Sequence, residues 1–145
     1  MEEKEFFRLH VFSFLMVVIL VLLFVSGMII NLFVTFPEIP EITLQSNQYF
    51  PLFNEYPVLL AHFLLGIILL IGALITLFIS YKAKQTKIIR ISLIGFLSVI
   101  IALVSGFVFM QYTFSNSMYS FTMSLGFLFA LLAYLVMFYE TKIKQ

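Results

Sequence analysis

The chain has 145 residues, of which 63% are hydrophobic and 10% charged, with a mean hydropathy of +1.14. An average soluble domain is about 45–50% apolar and about 25% charged, so a water-soluble globule of this size could not hide so much apolar surface. The balance of 8 Lys+Arg against 7 Asp+Glu gives a net charge of +1 and lacks the basic field that a nucleic-acid binder needs. Without a cysteine, the chain has no disulfide, no thiolate metal site, no haem thioether attachment and no Cys nucleophile.

Uncharged stretches set the organisation. Arg8 to Glu38 encloses 29 uncharged residues, Glu55 to Lys82 encloses 26, and Arg90 to Glu140 encloses 49. A membrane-crossing helix takes about 20 mainly apolar residues, so the last gap holds two. Its break falls at Gln111–Ser120, where amides and hydroxyls cluster as in a tight turn. The sequence therefore predicts four spans, at about 9–35, 56–81, 91–112 and 118–139, within one domain covering 1–145. The first span has a far longer apolar run than a signal-peptide core and a leader of mixed charge, which argues against a cleaved signal. Continuous runs of Leu, Ile and Phe favour helices over the short alternating segments of a membrane barrel. The expected fold class is all-α: an integral-membrane, antiparallel four-helix bundle.

Charge orients the bundle. Lys4 and Arg8 precede the first span, Lys82, Lys84, Lys87 and Arg90 lie between the second and third, and Lys142 and Lys144 follow the fourth. All basic residues then fall on one side, which places both termini and the 82–90 loop in the cytoplasm of a multi-pass cell-membrane protein. The 36–55 loop is external and reads as a solvated cap, with Glu38, Glu41 and Glu55 and prolines at 37, 40 and 51. The basic KAKQTKIIR segment suits contact with anionic lipid as well as orientation.

Small residues mark where helices meet in lipid, because apolar bulk alone gives little drive to associate. At 100° per residue, Gly95, Ser98, Ala102, Ser105 and Gly106 share one face of the third span. Glu55, His62, Gly66, Leu69, Ala73, Thr76 and Ser80 share a stripe on the second. On the fourth, Tyr119, Met123, Gly126, Ala130, Ala133 and Met137 do so, and on the first Ser13, Met16, Leu20, Gly27 and Asn31. Each helix thus presents one smooth, faintly polar face to the bundle.

Ionisable groups inside a membrane are costly and mark function by default. His10 lies at the inner entrance of the first span. His62 lies about 9 Å inside the outer end of the second and faces the bundle, with Gly66 one turn below and Glu55 two turns above. The plainest reading of His62 is a neutral imidazole bonded to Asn31, a hydroxyl or a carbonyl. The two histidines cannot share one haem, since about 20 Å or more of bilayer separates their depths. Met123, about 7–8 Å inside the outer end of the fourth span, matches the depth of His62, and Met/His ligation is a known haem arrangement. No metal cluster, Ser/His/Asp set or phosphate loop can be assembled from the sequence, which has no Asp.

The motif AHFLLG (Ala61–Gly66) follows a long external loop with a Glu upstream, and YSFTMSLG (Tyr119–Gly126) supplies a ligand-type residue two helices later. This layout resembles a four-helix half-unit of the haem A synthase family and related small membrane b-type cytochromes. The resemblance implies haem held between the second and fourth helices, with His62 at the second-helix ligand position. Met123 stands where that family has histidine, and Glu55 lies 7 residues before His62, further than the family's acid.

Two functional readings follow. The first is a non-catalytic small accessory subunit of a larger membrane complex, of a respiratory or redox kind, in contact with lipid and with other subunits or copies of itself. The second is a b-type haem protein for electron transfer or haem handling, with His62 and Met123 as ligands and Asn31, Glu55 and Gly66 as supporting groups.

Overall fold

Long runs of Leu, Ile, Val and Phe leave the backbone no water to bond, and coiling satisfies its N–H and C=O groups within one segment. The computed structural model describes residues 2–34, 54–111 and 117–142. Most of the external loop expected at 36–55, including Glu38 and Glu41, lies outside the described residues, as does most of the turn at 113–117. The described residues form helices α1 (Glu2–Phe33), α2 (Pro57–Lys82), α3 (Thr86–Gln111) and α4 (Ser117–Lys142). Each is long and apolar enough to cross a membrane. At 1.5 Å per residue the 26-residue helices are about 39 Å long, and the 32-residue α1 about 48 Å.

Local chemistry sets the helix ends. Pro57 occupies the first turn of α2, where a missing N–H costs nothing. At the other end the Ala83 N–H donates to the Ile79 carbonyl at 3.0 Å and the Lys84 N–H to the Tyr81 carbonyl at 3.2 Å. Lys84 takes a left-handed φ of 53°, which reverses the chain so that α3 starts two residues on. α3 starts at Thr86, ahead of the apolar run at 91, since Lys87 and Arg90 are good helix formers whose charge does not interrupt coiling; the Lys87 Nζ lies 2.8 Å from Glu140 Oε1 on α4.

The helices form a ring. α1 packs on α2 and α4, and α3 packs on α2 and α4; among the described residues the diagonal pairs do not pack. Contacts run antiparallel. Met16 meets Gly72 and His62 meets Gly27 across α1/α2, while Gly95 meets Tyr134 and Gly106 meets Met123 across α3/α4. Across α1/α4, Phe14 lies against Phe138 and Phe24 against Phe127, with ring centroids 5.8 Å apart in both pairs.

The α3/α4 seam is the closest. A Cβ on Gly126 would sit 2.8 Å from the Ala102 nitrogen and 2.9 Å from the Ser98 oxygen, so the two backbones touch there. Such an approach needs glycine on one side and small residues on the other. Gly95 in turn admits the Tyr134 ring, whose Cζ would lie 3.0 Å from an added Cβ.

Packing is uneven along the axis. In the half that carries the chain termini, Leu9, Ser13, Ala73, Thr76, Ser80, Ser92, Ala130, Tyr134, Met137 and Thr141 are all 0% exposed. Hydroxyls are tolerated there because they bond back to their own helix: Ser13 to the Leu9 carbonyl, Thr76 to Gly72 and Ser80 to Thr76, each at 2.7 Å. The hydroxyls of Ser92 and Tyr134 are buried with no hydrogen-bond partner among the described residues. In the far half, Leu23, Leu59, Ser105, Met110 and Gly126 are buried, while Ser26, Gly27, His62, Gly66, Ala102, Gly106 and Met123 are half-buried.

A backbone contact and an open position should respond oppositely to a methyl group. Gly126→Ala should cost about 1–3 kcal/mol, because neither neighbouring backbone can give way. Gly66→Ala, with nothing within 4 Å of its Cβ, should be neutral or stabilise by up to ~1 kcal/mol through helix propensity. Reversible unfolding in mixed micelles measures both, and equal effects would contradict the α3/α4 contact.

Candidate functional site

His62 is five residues into α2, about 7.5 Å from its start. Its Nδ1 lies 2.8 Å from Ser26 Oγ on α1, and that hydroxyl lies 3.0 Å from the Leu23 carbonyl. A hydroxyl has one proton to give. It goes either to the Leu23 carbonyl or to His62 Nδ1, and the tautomer of the imidazole follows that choice. Nε2 has no hydrogen-bond partner among the described residues. The ring edge rests on Gly27, where an added Cβ would lie 3.3 Å from Cε1.

The space around this imidazole is uneven. Gly27 closes one side. Gly66, one turn along the same stripe of α2, faces open space, unlike the other five glycines, each of which has a neighbour within 3.3 Å of a Cβ position. Gly66 lies between Leu59 and Leu69, which are both buried, so this space belongs to the inward side of α2. Asn31 is exposed, as is Glu55, and neither bonds His62; Ser26 does.

Met123 lies in a different seam. Its Sδ would be 3.1 Å from a Cβ on Gly106, so it packs across α3/α4, whereas His62 packs across α1/α2. The helices that carry the two residues are diagonal in the ring. Of the remaining packing residues, Gly95, Ser98, Gly126 and Ala130 are buried, and Ala102 and Gly106 half-buried.

His10 occupies the opposite end. It stacks on Phe138 with centroids 4.3 Å apart, and its Nδ1 lies 3.3 Å from both the Phe138 carbonyl and Thr141 Oγ1. It clasps α1 to α4 where the termini lie. Beside it, Arg8 and Glu5 pair at 3.1 Å one turn apart, an exposed contact of small energetic weight. Among the described residues no three His, Asp or Glu gather as a metal site.

Ser26 carried little signal in the sequence. Its depth on α1 suits His62, but its place relative to α2 depends on the rotation of two helices about their axes. Tyr134 was likewise hidden, although it sits four residues after Ala130 and three before Met137 on the buried stripe.

No family model, curated protein or solved structure matches this chain. What the site can do therefore rests on its own geometry.

The Ser26–His62 bond should be measurable as a coupling. Interhelical hydrogen bonds in membrane proteins average about 0.6 kcal/mol, with a maximum near ~1.7. A double-mutant cycle of Ser26→Ala and His62→Leu should return a coupling of that size. A coupling of zero would remove the bond from the account.

Proposed function

We propose that the chain is a multi-pass protein of the cell membrane, with both termini cytoplasmic, that serves as a small accessory subunit of a larger membrane complex. The observation that carries this reading is the exterior. Phe7, Phe14, Phe24, Phe78, Phe121 and Phe129 all stand exposed, among many exposed Leu, Ile and Val. Such a surface suits lipid and the apolar flank of a neighbouring subunit. The basic residues Arg8, Lys82, Lys84, Lys87, Arg90 and Lys142 lie at the end with the termini, which supports the orientation.

The orientation is tested with single cysteines, for which the cysteine-free chain needs no background changes. In intact cells a membrane-impermeant thiol reagent should label Ser46→Cys and spare Lys84→Cys. The reverse pattern would overturn it.

The subunit reading is tested by native mass spectrometry after extraction in a mild detergent. The expected species contains this 16.8 kDa chain and a different membrane protein in fixed ratio. A bare monomer throughout, or copies of this chain alone, would overturn the accessory role.

A second reading, a b-type haem protein, draws support from His62. A ligating histidine has its other nitrogen fixed by a hydrogen bond, as Ser26 fixes Nδ1. The reduced-minus-oxidised spectrum of the purified protein separates the readings. A haem band lost in His62→Ala favours the second, and a colourless protein after expression with ample haem eliminates it.

A further inference from the structure

We infer that the half of the bundle that carries the termini holds one buried water molecule, which accepts hydrogen bonds from Ser92 on α3 and Tyr134 on α4 and donates to Ser13 on α1 and Thr76 on α2. This site goes beyond the subunit reading and does not depend on it.

The four hydroxyls share one level, one from each helix. Met16 of α1 packs on Gly72 of α2, so Ser13 and Thr76, each about one turn nearer the termini, lie level with one another. The turn at 83–85 joins Lys82 to Thr86, and Thr76 and Ser92 each stand six residues from those ends, about 9 Å along the axis. Tyr134 rests on Gly95, one turn from Ser92, with its oxygen 3.3 Å from the place of a Cβ on that glycine. All four residues are 0% exposed, which turns them inward. Diagonal helices do not pack among the described residues, so side chains alone line the axis between them.

Their hydrogen bonds are unequally spent. Ser13 and Thr76 give their protons to the Leu9 and Gly72 carbonyls of their own helices at 2.7 Å, which leaves lone pairs on both oxygens. Ser92 Oγ and the Tyr134 oxygen are buried with no hydrogen-bond partner among the described residues, so each still has a proton to give. Two donors and two acceptors are the complement of a water molecule, which accepts twice and donates twice. Buried water makes about three such bonds on average, and a buried hydroxyl left unbonded is costly. Other occupants fit worse. The layer lies within the uncharged runs of all four helices, so nothing there offsets the charge of a cation stripped of its hydration. An apolar molecule would leave both hydroxyls unbonded.

A crystal structure of the full chain grown from a lipidic mesophase, at a resolution that shows ordered water, reads the site directly. It should show one water within about 2.5–3.0 Å of the Ser92 and Tyr134 oxygens, turned toward Ser13 and Thr76. A direct bond between the Ser92 and Tyr134 oxygens, apolar side chains filling the space between them, or a cation bound there would overturn the proposal. Stability tests it independently. Tyr134→Phe and Ser92→Ala should each raise the unfolding equilibrium constant in mixed micelles about twofold to tenfold, because each takes a partner from the water. The double variant should raise it by less than the product of the two, since both substitutions act on one shared site. A hydroxyl with nothing bonded to it behaves in the opposite way, because its removal relieves the burial of a polar group. Either single variant proving more stable than the unmodified protein, or effects that multiply in full, would overturn the shared water. Failure of the subunit reading would leave all of these outcomes unchanged, because they are read on the isolated chain.

Discussion

The backbone contact at Gly126 governs the arrangement of this bundle. Because a Cβ there would fall within 3 Å of the Ser98 oxygen and the Ala102 nitrogen, α3 and α4 have one depth and one rotation at which they can meet. That register sets the Tyr134 ring over Gly95 and Met123 over Gly106. α4, held in this way, presents Phe127 and Phe138 to α1, where Phe24, Phe14 and His10 stack on them. α1 in turn brings Met16 to Gly72 and Ser26 to His62. The candidate site is thus three packing steps from the contact that positions it.

Glycines meet their neighbours in different ways along the bundle. Small residues on one helix face large ones on another, as Gly95 faces Tyr134 and Gly72 faces Met16 toward the termini and Gly106 faces Met123 in the far half. Toward the far end Gly66 has no large residue opposite, and Gly27 is spent on the imidazole edge. A seam closes where a side chain or a backbone fills the notch that a glycine leaves, and nothing lies within 4 Å of a Cβ on Gly66. The open region around His62 is therefore a consequence of residue choice and needs no irregular backbone.

Hydropathy made the helices legible, since uncharged runs of 26 and 29 residues leave few alternatives, and the polar cluster after Gln111 falls where α3 ends and α4 has yet to begin. Charge made the helix ends less so. An uncharged run marks apolar length, whereas α3 continues through Arg90 and Lys87 to Thr86, because these charged residues are themselves good helix formers. At the site, the depth and inward face of His62 could be read from helical periodicity, as could the small residue beside it. The partner could not. Asn31 and Ser26 both lie on α1, and the choice between them turns on how α1 is rotated against α2. Depth alone also paired His62 with Met123, but depth does not say which seam a side chain enters, and these two enter different ones.

The collection of basic residues at one end has an electrical side. In the proposed orientation the segments that must be carried across the membrane hold Glu38, Glu41 and Glu55 and no Lys or Arg. A potential of 100 mV does about 2.3 kcal/mol of work on each elementary charge that crosses it. With the cytoplasm negative, three carboxylates moving outward gain about 7 kcal/mol per 100 mV, while Lys82, Lys84, Lys87 and Arg90 are held back. The field then drives the same topology that the charge asymmetry encodes. Correct insertion of this chain becomes coupled to the energised state of the membrane that receives it.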